Sequence, residues 1–141
     1  MSYVAQKEQF QDQYLQASVI TAPPGRLLLM LYDGAINFLS RAIDAIKRKD
    51  YEEANQLIVR VQDIIAELVS TLDMKYEVAR SLSQLYDYFN RRLIEANVKK
   101  DSVPAVEVEG YLRELREVWA KVIATVGVGE AVPPNTPGME V

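Results

Sequence analysis

The 141-residue sequence contains no cysteine and no histidine. Without cysteine there are no disulfides, no thiolate nucleophile and no zinc–sulfur site. Without histidine the commonest general base and metal ligand is missing. Positive charge is in short supply: the formal net charge is −4, which disfavours a nucleic-acid binder, since phosphate neutralisation needs a basic face. No apolar run reaches the ~18 residues of a membrane span. The opening MSYVAQKEQFQDQ lacks a basic start followed by an apolar core, so no secretory signal is expected. The expected compartment is the cytoplasm. Alternating, strand-like patterns are absent too, and no repeat suggests a solenoid.

What is present is helical periodicity. The length fits one domain, and 49% hydrophobic with 26% charged residues is ordinary for a globular protein. Ala22 to Ile46 opens with two prolines and a glycine and then runs apolar. At 100° per residue, Leu28, Leu31, Tyr32, Ala35, Ile36, Leu39, Ala42, Ile43 and Ile46 fall within an arc of about 140°. Leu27 to Leu31 is apolar all round, so its end of the helix needs cover on several sides. Asp50 with Glu53 reads as a cap opening a second helix, about 51–72. There Tyr51, Ala54, Ile58, Val61, Ile65, Leu68 and Leu72 step by three and four, with Leu57 and Ile64 on one flank.

A third helix, about 76–98, carries Val78, Ala79, Leu82, Leu85, Tyr86, Phe89, Leu93 and Ala96 on one face. Tyr88 and Ile94 fall outside that arc. Pro104, with Asp101 or Ser102 as cap, marks a fourth helix, about 105–126. Its buried face is Val108, Leu112, Leu115, Trp119, Val122 and Val126, and Gly110 is its weak point. Short connections between four helices predict an all-α, antiparallel up-down four-helix bundle. Residues 1–21 read as an N-terminal arm (or a short extra helix) that packs back through Tyr14, Leu15, Val19 and Ile20. Residues 22–126 form the bundle, and the Pro- and Gly-rich residues 127–141 read as a disordered tail.

No catalytic constellation stands out. The core arcs hold no carboxylate pair; Asp33, Asp44 and Asp87 sit at or beyond arc edges, where solvated or capping roles suffice. No Gly-rich phosphate loop is present. Neither a metal nor a cofactor is expected, and an enzyme has no residue to rest on. Eight tyrosines against three phenylalanines suggest half-buried groove edges, because a phenol has an apolar body and a polar tip. The apolar surplus beyond one stripe per helix points to a partner-binding bundle that receives amphipathic segments. A self-associating adaptor or structural bundle would use the same surplus for a homo-oligomer.

The ordered set of motifs resembles the FliS family of flagellin export chaperones. It comprises Tyr14-x-Gln16, Thr21-Ala22-Pro23, Leu31-Tyr32-Asp33-Gly34-Ala35 and Leu72-Asp73. It continues with Leu85-Tyr86-Asp87-Tyr88-x-x-Arg91-Arg92-Leu93-x-x-Ala96-Asn97, then Glu107-Val108, Leu112, Leu115 and Trp119. Met74-Lys75-Tyr76-Glu77 stands where such proteins often carry a glycine pair. The resemblance implies a cytosolic chaperone, a monomer or weak homodimer, without ATP in the chaperone step. Its client is the disordered C-terminal segment of flagellin, kept from premature polymerisation and passed to the flagellar type III export apparatus. Family members also contact the export gate, and some bind an anti-sigma factor. For the flagellin-binding groove the apolar surplus selects Leu28, Tyr32, Leu57, Ile64, Leu68, Tyr86 and Ile94. The arm, through Tyr14, Leu15, Val19 and Ile20, is expected to cap part of that groove when no client is bound.

Overall fold

In a computed structural model the chain is described from residue 24 to residue 126. The expected arm and tail, with Tyr14, Leu15, Val19 and Ile20, lie outside the described residues. Four helices follow in order: α1 Pro24–Lys47, α2 Tyr51–Ser70, α3 Glu77–Lys99 and α4 Ser102–Val126. Among the described residues there is no strand. Each helix touches the next, and α4 closes against α1. The diagonal pairs meet only through side chains across the centre. Helices of 20 to 25 residues run about 30–37 Å. Connections of a few residues cannot return along that length, so sequence neighbours are antiparallel.

Local chemistry sets the boundaries. α1 opens on Pro24, where a missing N–H costs nothing because the first turn has no intrahelical acceptor. It closes through Lys49 in the left-handed region, φ 64°, which lets Asp50 N–H reach Ala45 O at 2.8 Å. Asp50 caps α2 as expected, its carboxylate accepting from Glu53 N–H at 3.2 Å. The second helix ends at Ser70 rather than Leu72, because both the N–H and the hydroxyl of Thr71 turn back to Leu68 O. α3 ends on Lys100, again left-handed at φ 56°. α4 starts at Ser102, earlier than the proline suggests, because Asp101 Oδ1 accepts from Val103 N–H at 3.0 Å. Pro104 then sits harmlessly inside the first turn.

The core differs from the one-stripe picture in width. In α1, Phe38 and Ala45 are buried alongside the nine arc residues, of which only Ile36 is half-buried. That extends the apolar arc to about 180°, as a helix with two packed neighbours requires. Leu57 and Ile64 of α2 are buried for the same reason. Every residue of the α2 seam is buried or half-buried. Val78, expected in the α3 core, is instead 49% exposed. A helical wheel gives the direction in which a side chain leaves its helix, not whether another element stands there. Ile123 of α4 is buried and lies outside the expected face. No charged or polar residue is fully buried among the described residues.

Candidate functional site

Tyr32 and Tyr86, expected at groove edges, lie at the centre of the bundle. Their hydroxyls are hydrogen-bonded to each other across the diagonal from α1 to α3. Trp119 Nε1 of α4 donates to Tyr32 Oη at 3.3 Å. Each of the three polar tips therefore has a partner, which offsets part of the cost of burying them. Burial raises the pKa of both phenols; for Tyr32 the hydrogen bonds from Tyr86 and Trp119 partly counter it, while for Tyr86 its neighbour Tyr32 adds to it. Both remain neutral hydroxyls near pH 7. This network fixes which helices face each other.

Six of the seven residues selected for the groove are in the core: Leu28, Tyr32, Leu57, Ile64, Leu68 and Tyr86. Ile94 alone lies at the surface, 52% exposed. Exposed apolar residues are spread over the described surface, and three of them, Val78, Tyr111 and Val118, flank the α3–α4 side. There Tyr88 Oη donates to Glu107 Oε2 at 2.7 Å, and Arg92 Nε donates to Glu107 Oε1 at 2.6 Å. The rings of Phe89 and Tyr111 lie 5.7 Å apart. These contacts set an antiparallel register that brings the first half of α3 level with the second half of α4. Val78 and Leu85 are seven residues apart, as are Tyr111 and Val118, and Leu115 and Val122. Such spacing puts each pair on one side of its helix.

The result is an apolar seam between α3 and α4, the candidate groove. Leu85, Leu115 and Val122 are half-buried along it, and Val78, Tyr111 and Val118 (53% exposed) form its rim. The Tyr88–Glu107–Arg92 clamp closes one end. The Glu107 carboxylate is held below its usual range first by the Tyr88 hydrogen bond and then by Arg92. Sequence reasoning places Val78, Leu85, Leu115 and Val122 in the core. Their heptad spacing is visible in the chain, but their partial exposure between the two helices is not.

A seam lined by aliphatic and aromatic carbon can hold an apolar segment. Among the described residues no cluster of acids could hold a metal ion. No described helix is long and apolar enough to cross a membrane. A family model described as flagellar protein FliS matches residues 6–126. The chain belongs to the FliS family. It is 44% identical over 110 residues to the flagellar secretion chaperone FliS of Bacillus subtilis (strain 168), covering 78% of this chain and 83% of the relative. It is 35% identical over 111 residues to the chaperone of the same name from Salmonella typhimurium, covering 77% and 82%. It is 34% identical over 114 residues to the flagellar secretion chaperone FliSB of Pseudomonas aeruginosa, covering 79% and 90%. FliS is a family of flagellar export chaperones, not of enzymes.

Proposed function

We propose that the protein is a flagellin chaperone of the cytosol. It binds the C-terminal segment of flagellin, prevents its premature polymerisation and delivers it to the flagellar type III export apparatus. The observation that carries this reading is the exposure of Val78, Tyr111 and Val118 beside half-buried Leu85, Leu115 and Val122 along the α3–α4 seam. A client that folds on binding loses conformational entropy at that moment and needs a long apolar surface to offset it. Val78, Tyr111 and Val118 contact the client directly, and Ile94 extends the surface on the other side of α3. Leu28, Tyr32, Leu57, Ile64, Leu68 and Tyr86 are buried in the core, so they affect binding only through the packing of the bundle.

Titration of the full chain with the cognate flagellin, intact and without its C-terminal segment, tests the proposal. Binding is expected for the intact protein and is lost on truncation. Equal binding of both forms would count against it. Sedimentation with and without the segment separates client binding from self-association.

A further inference from the structure

The α1–α2 side, across the bundle from the α3–α4 seam, combines charge with carbon. Leu27, Gly34 and Arg41 are spaced by seven along α1, with Met30 and Phe38 between them. At 100° per residue these five share one side of the helix. Phe38 is buried, and the other four are half-buried. Arg60 reaches the same place from α2. Its Cζ lies 5.3 Å from the centroid of the Phe38 ring, and Arg41 Cζ lies 5.6 Å from it. Two guanidinium groups thus converge on one ring, whose negative face offsets part of their repulsion.

The carboxylates around this pair decide which anion fits. Asp44 and Glu53 are both held by Arg48, at 2.8 Å and 2.9 Å. Asp50 caps α2 through the Glu53 N–H. Asp63 and Glu67 are exposed further along α2. A polyanion would set charges beside these acids as well as on the arginines, and is repelled. A single carboxylate meets the two guanidiniums alone, and their N–H forks match its shape. Burial lowers the Arg41 pKa; Glu53 opposes the shift and the like charge of Arg60 adds to it. A carboxylate between the two arginines relieves that like-charge contact. About 16 Å along α1 from Arg41, at 1.5 Å per residue, Met30 and then Leu27 offer half-buried carbon.

We propose that the α1–α2 side docks a protein partner other than the flagellin client, through one acidic side chain and an apolar cluster. The carboxylate sits between Arg41 and Arg60 beside Phe38, and the apolar side chains rest on Leu27 and Met30. One amphipathic helix of the partner spans both contacts, with its acid three turns from its apolar residues. Such a helix gives the over-apolar start of α1 cover on its outer side. The α3–α4 seam stays open, so partner and client are held at the same time. This docking side stands independently of the client reading.

The test uses the full-length protein and an amphipathic peptide of about twelve residues, with leucines in its first turn and one glutamate in its last, ~16 Å apart. A second peptide carries glutamine in place of the glutamate. The glutamate peptide is expected to shift the Nε–H NMR signals of Arg41 and Arg60. It should bind about fivefold or more tightly than the glutamine peptide, the scale of a charge-assisted hydrogen bond. That preference should vanish in Arg60→Gln, while the flagellin C-terminal segment binds Arg60→Gln as it binds the native chain. Equal affinity of the two peptides, or binding of neither, overturns the inference, as does a preference that survives in Arg60→Gln. Tetraglutamate binding more tightly than the glutamate peptide marks a polyanion site and also overturns it. Displacement of the peptide by the flagellin segment makes this side part of the client surface and overturns the separate partner. None of these outcomes bears on whether the flagellin segment binds, which the client titration decides.

Discussion

Tyr86 and Tyr32 show how one atom type can serve the core instead of a surface. Tyr86→Phe removes the hydroxyl contact with Tyr32 and leaves the ring in place. It is expected to cost about 1 kcal/mol, the usual net value of a buried hydrogen bond, read from denaturant unfolding. The same pair gives the protein a pH dependence. Both phenols have raised pKa values in the folded state, mainly through burial, while an unfolded tyrosine releases its proton near pH 10. Their contribution to stability is fully present below about pH 10 and is lost as pH rises above it, because the unfolded chain can ionise first. Unfolding midpoints should therefore fall above about pH 10, and less steeply in Tyr86→Phe. Gly110 is a simpler case. It is exposed in α4, and a Cβ built on it meets nothing within 4 Å. Gly110→Ala should raise stability by roughly 1 kcal/mol, the helix-propensity difference.

The helices depend on their ends and on a few links between them. α2 begins at a carboxylate cap, Asp50, with Arg48 tied to Asp44 at 2.8 Å and to Glu53 at 2.9 Å around the same turn. These ion pairs are solvent-exposed and contribute little by themselves; the cap stabilises the helix start more than they do. Asp50→Ala is expected to lower stability by about 1 kcal/mol, measurable by thermal unfolding. Between α3 and α4 the corresponding link is Glu107 with Tyr88 and Arg92. The pKa of its carboxyl is depressed, so the favourable contribution is present above the unfolded pKa and lost as pH falls through the folded value. Acid should therefore loosen this end of the groove, and Glu107→Gln should remove that acid sensitivity.

Across the whole molecule, core and groove separate into two kinds of apolar residue. Phe89 is fully buried, and Phe89→Ala should cost about 3–5 kcal/mol. Val118 is exposed on the groove rim. Val118→Asp should weaken flagellin binding by tenfold or more while moving the melting temperature little. A comparable loss of stability in both variants would show that the rim is structural. Deletion of residues 1–20 should change client affinity and raise binding of the dye ANS if the arm shares the groove; no change in either measurement would rule out that role.

The helices themselves were legible in the linear chain. Periodicity, the Asp50 cap and short connections specify four antiparallel elements, and the motif order from Tyr14 to Trp119 points to the family. These are local or linear properties, and helix geometry transmits them directly. Which apolar residues face a neighbour and which face open space emerged only from the packed bundle. Leu57 and Ile64 read as surplus and are buried because α2 packs on two helices; Val78 and Val122 read as core, yet Val78 is exposed and Val122 half-buried. The pairing of Tyr32 with Tyr86, 54 positions apart, and that of Asn55 with Asn97, 42 positions apart, depend on the distance between helices. A wheel drawn for one helix carries no such distance. The over-apolar start of α1 is readable as needing cover, whereas which apolar side chains stay exposed is decided only once all four helices are assembled.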